Sequence, residues 1–333
     1  MTRFRSGFGI GVAVALALLG SSCKGEEPQQ AEKSGKAAPK PDAATTDGSQ
    51  VSAPDKDAAP VESPLDRLLA YLPTDAQRVS YDRLSKRFNI DVLAVVFAIP
   101  PQAADLLDER AVLDEGLDIL LDGDAEPANW LGPTTLAFVQ PLGKTPYFLR
   151  PLSKPASEVA PLLEQGFRKS TVEDIEVWLP TGSFPWRVAL LDGDIAAFMP
   201  VDTVGNGLEP LLAAREAESS PLEAELRRSL EQDGAIELIL FAVGPLVHYD
   251  VSAPIAQVDF LLRRSGAAYE GQVTLRPNGD LAEALEQLRT RKHPEENQQV
   301  QGLIAALELV SEQNLVVGQL ALTPDRLKHF LES

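Results

Sequence analysis

Two short patterns in this chain bring carboxylates together with residues that could do chemistry. The pentapeptide Leu-Leu-Asp-Gly-Asp occurs at Leu120–Asp124 and again at Leu190–Asp194. Paired carboxylates around a glycine can offer oxygen ligands to Ca²⁺, but an EF-hand loop also needs further oxygen ligands and a closing Glu at its twelfth position. Neither copy has that set. Asp and Gly favour turns and helix ends for backbone reasons alone, so both copies are read as turns. The second pattern is His248-Tyr249-Asp250, with Asp259 nearby. A histidine beside carboxylates can act as general base or metal ligand. The other histidines, His293 and His329, show no metal-type spacing and fall at predicted helix ends, where a His often caps carbonyls. His248, Asp250 and Asp259 are therefore carried forward as a polar cluster whose ordinary role is a sheet-edge histidine bonded to a neighbour. No catalytic, cofactor-binding or metal-binding residue is assigned, and no cofactor is expected.

Other chemistries lack their signatures. There is no Gly-x-Ser-x-Gly elbow, no Ser-x-x-Lys beyond Ser21–Lys24 at the end of the apolar N-terminal stretch, no phosphate-binding P-loop and no Gly-x-Gly-x-x-Gly. Gly182-Ser183-Phe184 reads as a loop before a strand. Gly205-Asn206-Gly207 opens a predicted helix and could receive an anion there, though a flexible turn is its simpler role. Trp130, Trp178 and Trp186 sit beside predicted strands. Exposed, they would suit sugar or protein binding; buried strand-end aromatics are commoner, and core is the reading taken. Asp and Glu number 49 against 30 Lys and Arg, for a net charge of −19. Such a chain repels nucleic acid and anionic headgroups, so no nucleic-acid partner is expected.

The elements that would position these groups come after an unusual start. Arg3 and Arg5 precede an apolar run from Phe8 to Leu19, and Gly20-Ser21-Ser22-Cys23 follows. That is the layout of a secretory signal over residues 1–22. The run is about 12 residues, short of the roughly 20 that a spanning helix needs. It ends on Cys23, the only cysteine, and in this it resembles a bacterial lipoprotein signal. The resemblance implies cleavage before Cys23 and attachment of diacylglycerol to its sulfur. Gly20 stands where the family places a Leu, with Leu19 one position further out. Small residues at Gly20 and Ser22 would also suit ordinary signal cleavage, leaving an exported protein with a free thiol. With no other cysteine there is no disulfide framework and no thiolate metal site.

From Cys23 to Ser63 the chain reads as a lipidated cysteine and a disordered linker. Val51 and Val61 are its only large apolar residues after the cysteine, too few to offset the entropy of ordering. A coil of about 40 residues has an r.m.s. span of roughly 35 Å, enough to lift a domain off a membrane.

The folded part is expected to begin with Ser63-Pro64-Leu65-Asp66, a helix start. A short helix to Tyr71, a strand at Arg78–Asp82 and a stronger, β-branched strand at Val92–Ile99 follow. A helix after Pro100-Pro101 carries Leu106, Leu113, Leu117 and Leu120 on one stripe. Thr134–Gln140 and Tyr147–Leu152 form a hairpin, Pro155–Phe167 a helix, and Glu173–Leu179 a strand. Trp186–Leu191 and Ile195–Met199 flank the Asp192-Gly193 turn, and Gly207–Glu216 is a helix. Ser220-Pro221-Leu222-Glu223 is a capping box opening a helix that Gly234 ends. A strand at Ile236–Val243 and a hairpin of Gln257–Arg264 with Ala268–Arg276 come next. Asp280 caps a helix with Glu283 as its reciprocal partner. A helix over Glu296–Ser311 places Val300, Leu303, Ile304, Leu307 and Val310 on one face, then Leu315–Leu322 is a strand and Thr323-Pro324 starts a last helix.

Hairpins alternating with one or two helices argue for an α+β fold, with antiparallel or mixed sheets and helices packed on one face. Two similar halves, 64–219 and 220–333, are expected. The segment Leu72–Met199, with Trp130-Leu131-Gly132 before a hairpin and Pro185-Trp186 before Leu190-Leu191-Asp192-Gly193-Asp194, resembles a loose family of exported bacterial proteins of unknown function. That resemblance implies a fold and a compartment and carries no catalytic residues. The leading expectation is a non-enzymatic, lipid-anchored envelope protein that binds an envelope protein or polymer. It would be exported to the cell envelope, which in a Gram-negative cell means the outer membrane or periplasm. A carrier of an apolar ligand such as a lipid ranks second, and a hydrolase using His248 and an Asp third.

Overall fold

The computed structural model describes residues 63–84, 88–121, 129–141, 143–203, 205, 207–217, 219–232, 235–292 and 297–331. The signal stretch, Cys23, the linker up to residue 62, Asp122–Asp124, Asn206, Gly234 and His293 lie outside these residues.

Two matching helix starts frame the fold. In α1 (Pro64–Leu69) the Ser63 hydroxyl accepts from the Asp66 amide at 3.1 Å, and the Asp66 carboxylate accepts from the Ser63 amide at 3.1 Å. This closes a capping box, with proline at the first helical position. In α6 (Pro221–Gln232) the Ser220 hydroxyl accepts from the Glu223 amide at 2.9 Å. Each helix feeds a strand, β1 (Arg78–Asp82) after α1 and β8 (Ile236–Leu246) after α6. These two pair antiparallel in the middle of a twelve-stranded sheet, from Arg78 opposite Ala242 to Asp82 opposite Leu238.

From β1 the sheet runs outward through β2 (Thr135–Val139), β3 (Tyr147–Pro151), β7 (Ile195–Pro200), β6 (Trp186–Leu191), β5 (Ile175–Pro180) and β4 (Phe167–Val172). From β8 it runs through β9 (Ile255–Ser265), β10 (Ala268–Pro277), β12 (Leu315–Leu322) and β11 (Glu308–Glu312). Every pairing between these strands is antiparallel. The fold is therefore α+β, built on one continuous antiparallel sheet. Without the β4–β5 hairpin the two halves share a strand order. A three-strand meander leads through a helical connection to a hairpin whose second strand returns beside the meander.

Strand alternation sorts side chains between two faces. Ala137 and Val139 of β2 join the larger core, Leu136 and Phe138 the smaller one. The larger core is covered by α2 (Ile90–Phe97), α3 (Pro101–Leu120), α4 (Ala156–Leu163), α7 (Leu281–Thr290), α8 (Gln298–Ala306) and α9 (Pro324–Leu327). The smaller is covered by α1, α5 (Glu209–Glu216) and α6. The expected single helical layer thus has a second, lighter counterpart. Strands such as β7, buried at every position, are apolar on both faces and need cover on both.

Three segments differ from the sequence reading. Val92–Ile99 belongs to a helix, α2. The Asn89 side chain accepts from the Val92 amide at 3.0 Å, and Ala98 ends the helix in the left-handed conformation, at φ 56°. Leu93, Val96 and Phe97 are buried at helical spacing, so packing overrides the β-branched preference. Phe97 seats on β10 because Gly271 leaves room; a Cβ there would lie 2.2 Å from the Phe97 ring. Phe167, read as the end of a helix, starts strand β4 instead. The helix expected to reach Ser311 stops at Ala306, since Leu307 is extended (ψ 117°) and the chain enters β11. Val310, expected on its inner face, is 45% exposed. Among the described residues no helix is long and apolar enough to cross a membrane.

Candidate functional site

The β8–β9 loop carries His248 and Asp250 and is clamped at several points. The Val247 amide donates to Gln102 Oε1 at 3.3 Å, the Ser252 amide to Gln287 Oε1 at 2.9 Å, and the Ser252 hydroxyl to Glu283 Oε1 at 3.0 Å. Asp280 caps α7 as expected, accepting from the Glu283 amide at 2.9 Å. Glu283 itself turns to this loop. His248 is buried. Its Nδ1 accepts from the Asp250 amide at 3.2 Å, and the Asp250 carboxylate stands 4.0 Å away. Burial lowers the His248 pKa; Asp250 opposes that shift and the Arg291 cation reinforces it.

Asp259 is elsewhere. Val258, Phe260 and Leu262 of β9 enter the larger core, so Asp259 shares the opposite face with Leu261. Its carboxylate accepts twice from Gln257 Nε2, at 2.9 and 3.0 Å. Burial raises its pKa, with Gln257 opposing and Glu225 of α6 adding to the rise. The structure therefore brings His248 and Asp250 together and places Asp259 apart. The buried imidazole has its Nδ1 taken by an amide, an arrangement that holds a loop in shape.

Beneath this loop lies a group that the sequence reading missed. Arg291 donates to the Val95 carbonyl at 3.4 Å, to the Val96 carbonyl at 2.5 Å and to the Leu288 carbonyl, joining the C-terminal ends of α2 and α7. The negative ends of two helix dipoles face one cation. Burial lowers its pKa to about 10, Asp250 opposing. Backbone carbonyls have no signature in the sequence, which is why the contact could not be read from it.

The Asp192-Gly193-Asp194 turn forms the expected hairpin, with φ of 52° at Asp192 and 79° at Gly193. Its carboxylates are engaged within the protein. Asp192 accepts from the Tyr71 hydroxyl at 2.6 Å and from Arg215 at 2.8 Å, and Asp194 is paired with Arg67. Burial and the Asp192 carboxylate raise the Tyr71 pKa. The turn is thereby fixed to α1 and α5. Among the described residues no three metal-capable side chains converge. In the other copy, Leu120 ends α3 and Leu121 caps it.

A shallow cleft of about 530 Å³ adjoins this turn, between Ala156, Ser157 and Ala160 of α4 and Lys169 and Glu176 of the β4–β5 hairpin. Lys169 pairs with Glu176 and lies 5.5 Å over the Trp178 ring. Trp130, Trp178 and Trp186 are all fully buried, so none forms an exposed aromatic platform. A second buried polar feature links α3 to the central strands. Arg110 pairs with Asp82 and stands 3.9 Å from Asp114, while Arg150 donates to Asp114 at 2.6 Å and to the Gly132 carbonyl at 3.0 Å. Arg110 and Asp114 are helix neighbours four residues apart, but Arg110–Asp82 and Arg150–Asp114 join residues 28 and 36 apart, and nothing local announces those two contacts.

No family model and no curated protein matches the chain. Among solved structures it is similar to crystal form I of TP0453, at 9% identity and a TM-score of 0.45, over 78% of this chain and 94% of that one. Crystal form IV of TP0453 gives 10% identity and a TM-score of 0.44, over 76% of this chain and 92% of that one.

Proposed function

We propose that this is a lipid-anchored protein of the bacterial envelope whose α+β domain binds a protein or envelope polymer. The observation that carries the reading is the Arg3–Cys23 stretch, a basic, apolar, small-residue run ending on the one cysteine of the chain. The linker behind it supports the same reading, since a tether has a purpose when its start is held. No polybasic block follows Cys23, so the anchor holds by its acyl chains, at about 0.8 kcal/mol per buried methylene.

A binding role agrees with the domain. At the helix–sheet interface Phe97 packs on Phe260, with ring centroids 4.9 Å apart, and no observation among the described residues favours the carrier reading. Among the described residues the partner of the His248 ring is the Asp250 amide, with the Asp250 carboxylate 4.0 Å away, and no other side chain stands within hydrogen-bond distance of it for acid–base work. The test is metabolic labelling of the full chain with a clickable fatty acid in a bacterial host. Label should appear in the membrane fraction and vanish in a Cys23→Ser variant. Equal labelling of both, or a protein recovered wholly in the soluble fraction, would refute the anchor.

A further inference from the structure

The two edges of the sheet are finished differently. At one edge, β11 and β12 are joined by the two-residue turn Gln313-Asn314, with φ of 54° at Gln313. In a two-residue hairpin the flanking pair is hydrogen-bonded and the pairs then alternate. Glu312–Leu315 and Val310–Val317 are thus bonded pairs, and the Leu309 main-chain groups point outward. Arg289 at the end of α7 donates to the Leu309 carbonyl at 2.7 Å, so α7 reaches over this edge and engages one of its outward groups.

At the other edge, Glu173 and Asp174 both have positive φ, 51° and 66°, which makes the β4–β5 turn type I′. Val172–Ile175, Ser170–Val177 and Arg168–Leu179 are then bonded pairs. The N–H and C=O groups of Lys169 and Thr171 face away from β5. No hydrogen bond among the described residues caps them, and the six-residue strand has neither proline nor bulge. A bare edge of this kind is a template for another strand.

We propose that β4 pairs with β4 of a second copy of this chain, extending the sheet across a two-fold axis. An axis perpendicular to the sheet, with Ser170 on it, sets Lys169 opposite Thr171 of the partner subunit. Arg168 then lies opposite Val172 of the partner subunit. Four main-chain hydrogen bonds form, two at each Lys169–Thr171 pair, and no like charges stand directly opposite. Lys169, the residue type that usually deters edge pairing, is drawn aside by Glu176. The inference rests on the sheet edge alone and is independent of the anchor.

The test uses the full chain carrying Cys23→Ser, so that an introduced thiol is the only one. Ser170 meets its own copy in a non-hydrogen-bonded pair, where Cα atoms lie about 4.5 Å apart and a disulfide can close. Ser170→Cys should give a disulfide dimer under mild oxidation, whereas Arg168→Cys, about 13 Å from its counterpart, should not. In sedimentation the unmodified pair should tighten with salt, because two chains of charge −19 repel. Thr171→Pro removes an outward donor that the fold does not use and should weaken association about tenfold or more. Equal cross-linking at residues 168 and 170, a monomer at every concentration, or indifference to Thr171→Pro would overturn the proposal. So would protection of the Lys169 and Thr171 amides only on adding an acidic peptide, with salt weakening it; that result would give the edge to another protein.

Discussion

The two halves of the sheet follow one plan and are secured by different chemistry. In the first half, α3 buries Leu106, Leu113 and Leu117 in the core and adds a chain of charges over the central strands, with Arg110 and Arg150 between Asp82 and Asp114. In the second, helices meet the sheet through apolar side chains, and the main buried charge, Arg291, serves carbonyls. The halves also interlock. Helix α2 is inserted between β1 and β2, yet Phe97 packs on Phe260 of β9, on Phe330 and over Gly271 of β10. The comparison shows that a repeated strand order can be held by unlike interactions. It also singles out the β4–β5 hairpin, which has no counterpart in the second half and which borders both the cleft and the bare edge.

The sharpest way to break this contrast is to remove one cation from each half. Arg110→Ala leaves Asp82 and Asp114 without their shared partner and should destabilise by about 3–5 kcal/mol in urea unfolding. Arg291→Met abandons three carbonyls but, among the described residues, no carboxylate within ion-pair distance, and a loss of about 2–3 kcal/mol is expected. Equal losses would show that the halves are secured alike. The two capping serines give a finer comparison. Ser220 is buried and Ser63 exposed, so Ser220→Ala should cost about 1–2 kcal/mol and Ser63→Ala about 0.5–1 kcal/mol, read as shifts in Tm. The smallest effect is one of pH. His248 has its pKa lowered on folding, so the unfolded chain takes up its proton first. Its contribution is complete above the ordinary value of 6.5 and is lost as pH falls from there through the folded value. His248→Gln should flatten the stability profile in that window.

Much of the fold was legible where local rules and tertiary packing agree. Ser-Pro-Leu-acid marked both helix starts, Asp192-Gly193 marked a turn, and Arg78–Asp82 alternated as a strand does. It failed where packing decided. Val92–Ile99 is β-branched and apolar, yet Asn89 and Ala98 cap it as a helix, and Gly271 provides the seat that makes the helix worthwhile. The 296–311 stretch keeps helical spacing past Ala306, but pairing with β12 draws Glu308–Glu312 into the sheet. At the site, His248 and Asp250 were found because they are neighbours in sequence. Asp259 was misplaced because its position in β9, one step from Val258 and from Phe260, turns it to the other face. Arg291 serves backbone carbonyls, and of the Asp82–Arg110–Asp114–Arg150 chain only the Arg110–Asp114 pair has local spacing; its links to Asp82 and Arg150 join distant residues and leave no local pattern.

Whether Cys23 carries a lipid is read from the intact mass of the full-length gene product extracted from membranes. A lipid anchor gives a chain beginning at Cys23 and heavier than its amino acids by a diacylglycerol, an increment absent from the Cys23→Ser variant. A chain of unmodified mass with a free Cys23 thiol would contradict it.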